Sequence, residues 1–377
     1  MRVAMIGLRG IDGGPCGGIE SAVAALAPRL AARGHEVLIY TRRKYTRRDA
    51  PRPQGVKVRP VPTLYTRHLE TIVYTMLSQL YRDRVELMHF HALGPALLVP
   101  VARLRGIPTL VTVHGLDFAR PKWGPLARMA LRAGAYSAAT FPQATTVVST
   151  SLQRYFSRVY GRDTQVIANG VELPGRADPD SLSRVGLRSG TYVLFLGRLV
   201  EDKGVDLLLR VWRSRAWPWT LALAGELDHR NAYHRLLKSL AHGDPSIRFL
   251  GRAAGDVKAA LFHHAAAFVL PSLIEGLPIA LLEAMSAGCL PVVSDEPGNL
   301  EAIGAARSVL EGEAAGVVFP RASFSGLRRA LEWVEAHPRA REDIGARARE
   351  LVAARYSWEK ATIAYERVYQ KVADGVR

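Results

Sequence analysis

Along most of the chain, short unbroken apolar runs give way to polar, glycine-bearing breaks and then to stretches in which apolar residues recur three or four positions apart. Unbroken runs suit strands buried on both faces of a parallel sheet, and the spacing that follows suits helices packed on such a sheet. In the first half, "RVAMIG", "EVLIY", "ELMHF", "TLVTV", "TTVVS" and "TQVIA" predict strands. Between the first two, Ile19, Val23, Leu26 and Leu30 keep helical spacing, and Gly34 supplies the stop. In the second half "YVLFLG", "WTLALAG", "SIRFLG", "AAFVL", "LPVVS" and "GVVF" play the same part. The alternation predicts βα repeats and two parallel sheets.

The stretch "LPGRADPDSLSRVGLRSG" is rich in Pro, Gly, Asp and Ser and has little periodicity, so it reads as a linker. The expected organisation is a first α/β domain over residues 1–172, a linker over 173–190, a second α/β domain over 191–356, and a C-terminal helix over 357–377. No strand follows that helix to complete a βα unit, so it is expected to cross back to the first domain or to dimerise. Open α/β sheets bind ligands outside the carboxyl ends of their strands. Two doubly wound domains are therefore expected to face a central cleft with those ends.

A length of 377 residues suits two domains, each able to bury a core. Two cysteines, Cys16 and Cys289, make no disulfide framework and have no metal-ligand spacing, so a reducing cytosol is the expected compartment. No apolar run approaches the roughly 20 residues of a membrane span, and "MRVAMIGLRG" reads as a first strand rather than a signal peptide. The net charge of +17 is held unevenly: Met1 to Gly170 carries 24 Lys+Arg against 9 Asp+Glu, the remainder 27 against 25. A basic first half implies an anionic partner, whether nucleic acid, phosphorylated substrate or acidic lipid. Its densest part, "TRRKYTRRDAPRP", also fits a solvated loop. Aromatic residues are not interleaved with that run for base stacking and no nucleic-acid motif occurs, so no nucleic-acid partner is expected.

Candidate chemistry concentrates in "PSLIEGLPIALLEAMSAG". Pro278 suits the first turn of a helix that Gly288 closes, placing Glu275 in the preceding loop and Glu283 within the helix. Backbone N–H groups of Gly276, Leu277, Ile279 and their neighbours would meet an anion at the positive end of the helix dipole. The flanking carboxylates would accept hydrogen bonds from hydroxyls, the groups of a sugar and a ribose. Read alone, the same pair also fits an ordinary helix start. A second element follows "YVLFLG": Arg198 and Lys203-Gly204, cations suited to a diphosphate, though each also fits an ordinary surface.

In the first half, glycines at 7, 10, 13, 14, 17 and 18 follow the first strand without forming G-x-G-x-x-G, and Thr41-Arg42-Arg43 follows the second strand where a dinucleotide fold wants an acid. A dehydrogenase is disfavoured, although Arg42 leaves a 2′-phosphate reading open. Gly17-Gly18 permits close backbone approach to a ligand. His114 projects from the end of "TLVTV" and is a catalytic or a structural histidine. His89 and His91 would bind metal only with further ligands that the sequence does not offer, and the neighbours His263 and His264 point apart on a helix.

These residues resemble glycosyltransferase family 4. The resemblance rests on Glu275 and Glu283, on Arg198 with Lys203-Gly204, and on the "GG-x-E" of Gly17, Gly18 and Glu20, and it covers nearly the whole chain, including "SWEKATIAYERVY". A narrower likeness, to the bacterial polysaccharide rhamnosyltransferase-like subgroup, rests on "GLRGI", "ARGHEVLIYTR", "HFHALGPA", "HGLDFARPKWG" and "SLIEGLPIALLEAMSAG". The chain departs from the pattern at Ala168, where a Pro is usual, at Ala135, where a Glu is common, and at Glu226-Leu227, where Asp-Ser is expected.

The resemblance implies the GT-B fold, two Rossmann-like doubly wound domains, and a retaining, metal-independent transfer without a cofactor. It implies that Glu283 holds the ribose and Glu275 a hydroxyl of the transferred sugar. Arg198 and Lys203 would bind the diphosphate with backbone at Gly276, Leu277, Pro278 and Ile279 and at Gly17 and Gly18. His114 would face the reacting sugar, and the base would lie near Gly251 and Arg252. The expected partners are a nucleotide-sugar donor, a glycan or lipid-diphosphate-linked acceptor and anionic membrane. The expected place is the cytoplasm, peripheral on the inner membrane face. The competing expectations are a non-catalytic sugar-nucleotide or nucleic-acid binder and an NADP-linked oxidoreductase.

Overall fold

The computed structural model describes all residues except 12–16, 48–51, 67–68, 82, 176, 228–230, 306–314 and 376–377. It divides into two compact units, Met1–Gly170 together with Trp358–Arg377, and Val171–Ser357.

The first unit holds β1 (Arg2–Ile6), β2 (Glu36–Arg42), β3 (Val56–Val61), β4 (Leu87–His91), β5 (Thr109–Val113), β6 (Ala144–Val147) and β7 (Gln165–Val166). They form one sheet in the order β3-β2-β1-β4-β5-β6-β7, every pair parallel. The second unit holds β8 (Tyr192–Leu196), β9 (Thr220–Ala224), β10 (Ile247–Gly251), β11 (Ala267–Leu270), β12 (Pro291–Ser294) and β13 (Val317–Phe319). Their order is β10-β9-β8-β11-β12-β13, again parallel throughout. Val3 to Ile6 of β1 and Val193 to Phe195 of β8 are fully buried, as the apolar runs require. Each sheet reverses its strand order once, between β1 and β4 and between β8 and β11, and these switch points are where such sheets leave a crevice for ligand.

Three sequence expectations need correction. The strand β3, "VKVRPV", was not among those predicted. It lies at the sheet edge, where Lys57, Arg59 and Pro60 are tolerated because one side needs no ladder partner. Part of the basic run before it, residues 48–51, lies outside the described residues, and Arg43–Tyr45 forms a short 3-10 helix.

The expected linker belongs to the second unit. Within it Pro179–Val185 forms a 3-10 helix capped by Asp178, with Leu182 and Leu187 buried. His264 holds both ends of the segment, through Ala177 O at 3.0 Å and Ser189 Oγ at 3.1 Å, and its carbonyl accepts from Gly190 N–H at 2.8 Å. Proline and glycine density here marks turns on a packed surface rather than a free tether.

Pro278, expected in the first turn of its helix, stands just before it, as the N-cap.

The C-terminal helix Trp358–Asp374 is part of the first unit. Arg33 Nε donates to Glu366 at 2.6 Å, and Tyr365 and Tyr369 are buried beside the strands. The close approach of Gly170, where an added Cβ would fall 2.3 Å from Trp358 N, fixes the start of the helix.

Candidate active site

In the second unit Arg198, Lys203, Glu275 and the backbone from Gly276 to Ile279 gather at the switch point. Arg198 follows β8, and the loop Pro271 to Pro278 follows β11. The two loops touch: a Cβ on Gly204 would lie 2.3 Å from Pro271 O, and Leu273 N–H donates to Asp202 O at 2.9 Å. Gly204 also has φ +64°, a conformation that favours glycine. Lys203 Nζ donates to Glu275 Oε1, with only 15% and 6% of the two side chains exposed. The cation expected for diphosphate and the carboxylate expected for sugar are thus paired with each other.

Helix Ile279–Ser286 starts directly after the buried Gly276, Leu277 and Pro278, and Gly288, at φ +75°, ends it. Leu281 and Leu282 N–H donate to Pro278 O at 3.1 and 3.2 Å, so in the first turn it is the N–H groups of Ile279 and Ala280 that have no carbonyl of their own helix to bind. Glu283 accepts from Lys258 Nζ at 2.6 Å. Arg198 is exposed, and the segment behind it is held by His234, whose Nε2–H donates to Leu199 O at 2.6 Å. Gly251, at φ +68°, ends β10, and exposed Arg252 follows it, two strands from the switch point on the same sheet edge.

In the first unit Gly17 caps helix Gly18–Ala32, and Glu20 closes the cap by accepting from Gly17 N–H at 2.9 Å and from Arg9 N–H at 3.2 Å. A Cβ on Gly18 would meet no atom of the described residues within 4 Å, so packing does not dictate the glycine there. Gly13, Gly14 and Cys16 of this loop lie outside the described residues, as do 228–230 beside Glu226-Leu227.

His114 follows β5, and its Nε2 lies 3.1 Å from His91 Nδ1. His89 and His91 project from the same face of β4, with ring centroids 4.0 Å apart. His89 is held by Thr112 Oγ1 at 2.6 Å and Tyr369 OH at 3.0 Å. Burial lowers all three histidines, His89 to about 3 and His114 to about 4, with His91 also well below its ordinary value. The rings are therefore neutral at neutral pH, and the His91–His114 contact carries one shared proton. Arg42, considered above for a 2′-phosphate, is buried and engaged by Glu70 at 3.1 Å and Thr71 at 3.1 Å, with its guanidinium over the Tyr74 ring. These contacts tie the end of β2 to helix Glu70–Leu80.

Two family models match, one on each half: Glycosyltransferase Family 4 over residues 16–173 and Glycosyl transferases group 1 over residues 186–351. The chain belongs to glycosyltransferase family 4. It is similar to a GDP-mannose-dependent alpha-(1-6)-phosphatidylinositol monomannoside mannosyltransferase of Mycolicibacterium smegmatis, 29% identical over 91% of this chain and 92% of that one. It is also similar to D-rhamnosyltransferase WbpZ of Pseudomonas aeruginosa, 30% identical over 52% of this chain and 51% of that one. Sucrose-phosphate synthase from Thermosynechococcus elongatus shares the fold, with a TM-score of 0.84 at 20% identity over 99% of both chains. The architecture is GT-B.

In this glycosyltransferase the sequence noted Glu20 and His91 without their partners and left three further supports unread: Lys258, His234 and Glu296. The last had a signal, since Glu before Pro297 is a helix-start pattern. Glu296 caps helix Pro297–Ala302, accepting from Gly298 N–H at 2.6 Å and from the backbone N–H of Glu275. Gly298 packs so near the loop that a Cβ there would fall 2.6 Å from Gly276 O. Glu296 thus fixes the backbone of the residue that carries the buried carboxylate.

Burial pushes Glu296 up to about 7 from 4.5, opposed by the two N–H donors and Arg321, with the neighbouring Glu275 adding to the rise. The folded protein therefore holds this proton more tightly than the unfolded chain. The benefit is complete below pH 4.5 and is withdrawn as pH rises through about 7, a change on the order of 3 kcal/mol. Glu296→Gln removes the titration, so its Tm relative to wild type should climb between pH 5 and pH 8. Parallel Tm curves for the two proteins would contradict the assignment.

Proposed function

We propose that this glycosyltransferase binds a nucleotide-diphosphate sugar at the switch point of its second unit and transfers the sugar with retention and without a metal. The acceptor is a glycan or a lipid-diphosphate-linked oligosaccharide of bacterial surface polysaccharide synthesis, met at the inner face of the plasma membrane. The reading is supported above all by the joining of three elements in one crevice: Arg198 after β8, the buried Lys203–Glu275 pair, and the start of helix Ile279–Ser286.

In this reading the diphosphate lies against Arg198, Lys203 and the first-turn N–H groups, where dipole and cations offset its charge. Glu275 accepts from a hydroxyl of the transferred sugar, and Glu283, oriented by Lys258, accepts from the ribose. Arg252 and Gly251 flank the base. In the first unit, Gly17 and Gly18 leave backbone open to a ligand, and His114, neutral and aligned by His91, is the residue that the family pattern assigns to the reacting sugar. The acceptor hydroxyl attacks on the face that the diphosphate leaves, and the departing phosphate oxygen takes its proton. Charge grows on the diphosphate as the bond to the anomeric carbon breaks, so the cations bind the transition state more tightly than the ground state.

The donor sugar is a hexose or deoxyhexose, rhamnose among them, as the likeness to mannosyl- and rhamnosyltransferases suggests. A panel of GDP-, UDP-, ADP- and dTDP-sugars tests this by thermal unfolding. A matching donor at 100 times its Kd should stabilise the fold by about 2.7 kcal/mol, and slow hydrolysis of the same donor should follow. A panel without any stabilising sugar nucleotide would defeat the reading.

A further inference from the structure

Helix Pro125–Thr140 in the first unit buries one side and leaves the other bare. Gly134, Ala135, Ser137, Ala138 and Ala139 face inward, and a Cβ on Gly134 would lie 2.1 Å from Leu93 O. That contact fixes the rotation of the helix, so its outer side cannot turn inward. On the outer side stand Leu126, Met129 and Tyr136, exposed by 78%, 64% and 56%, with exposed Ala133 between them. Their spacing of three, four and three places them on one stripe. Exposed Arg128 and Arg132 run along one flank. An apolar stripe on a water-soluble surface carries a cost, and one flanked by cations suits the boundary between lipid headgroups and acyl chains.

Charge selects the occupant. From Ala119 to Arg162 the sequence has 44 residues without one Asp or Glu, and its exposed cations are Lys122, Arg128, Arg132, Arg154 and Arg158, while Arg120 pairs with Asp117 at 3.1 Å and Arg162 donates to Pro142 O at 2.9 Å. This span covers the helix and its neighbour Thr150–Tyr160. A second copy of the same surface would bring these cations against each other, whereas an anionic bilayer neutralises them and takes up the stripe. No helix among the described residues is long and apolar enough to cross a membrane, which leaves contact at the surface.

We infer that helix Pro125–Thr140 is the membrane-docking face of the protein: Leu126, Met129 and Tyr136 enter the interface of an anionic bilayer while Arg128 and Arg132 engage its phosphates. This rests on the membrane part of the function proposed above and adds where the contact is made.

The test is vesicle sedimentation of the full chain, using equal parts phosphatidylglycerol and phosphatidylcholine against phosphatidylcholine alone. Wild type should prefer the anionic vesicles, and added salt should weaken the preference. The triple variant Leu126→Ser, Met129→Ser, Tyr136→Ser should lose about tenfold or more in partitioning. Arg128→Gln with Arg132→Gln should lose a similar factor. All five positions are exposed, and circular dichroism should show unchanged unfolding. Equal partitioning of wild type between the two vesicles would refute both the membrane reading and this face. Selective binding that the triple variant keeps in full would overturn this face alone. A wild-type dimer in sedimentation velocity that the triple variant dissolves would assign the stripe to a second copy, and would also overturn it.

Discussion

Arg198→Ala is expected to lower kcat by about 10²–10³-fold, the loss that follows removal of one preorganised donor to a developing oxyanion. Its position is the reason. Arg198 leaves the carboxyl end of β8 at the switch point, exposed, on a segment that His234 holds at Leu199 O. The diphosphate gains charge as the sugar departs, so a guanidinium there is worth more in the transition state than in the bound donor, and the loss should fall on kcat more than on KM. An exposed side chain contributes little to folding, so stability should move by only about 0.5 kcal/mol. Arg198→Lys should restore part of the rate, because an ammonium supplies charge without the planar two-pronged geometry. Steady-state kinetics with the donor found in the panel decides it: near-normal turnover in Arg198→Ala removes Arg198 from the site.

The second large effect separates structure from chemistry within one ion pair. Lys203→Ala leaves the Glu275 carboxylate, 6% exposed, without its cation and should destabilise the fold by roughly 3 kcal/mol. Glu275→Ala leaves Lys203 partly buried and unneutralised, and should also slow transfer by about 100-fold through the lost contact to the sugar. The double variant Lys203→Met, Glu275→Gln removes both charges and should recover most of the stability, since two near-isosteric neutral groups leave no orphaned ion. Turnover should not recover under the proposed roles, in which both groups touch the donor. Recovery of stability together with activity would reduce the pair to a structural clasp, and additive stability losses would mean that the two groups do not interact as placed.

The sheets were legible because nearly every strand is buried on both faces, so that "YVLFLG" and "AAFVL" had no polar residue to confuse the pattern. β3 was hidden for the opposite reason: as an edge strand it accommodates Lys57, Arg59 and Pro60, and its alternation is weak. At the site, glycines and prolines marked the loops correctly, since backbone geometry is a local property. The electrostatic partners were not legible. Lys203 and Glu275 are 72 residues apart, Lys258 and Glu283 are 25 apart, and His89 meets Tyr369 across 280. Only a fold brings such groups together, and composition offers many equivalent lysines and tyrosines. The linker reading failed on a related point: turn-forming residues report where the chain bends, and burial of Leu182 and Leu187 decides whether the bend is anchored.

The order of synthesis and the order of completion run in opposite directions in this chain. Val171–Ser357 is continuous, so it has all its strands once Ser357 has been made. The unit that begins the chain cannot finish until Tyr365 and Tyr369 have left the ribosome, because the hydroxyl that reaches His89 belongs to the last helix. A nascent protein arrested before Trp358 would hold one finished sheet and one with the polar pair His89 and Thr112 uncovered, since Tyr369 and Tyr365 are their partners. Quality-control proteases would meet that half-dressed surface in every molecule whose translation stopped early.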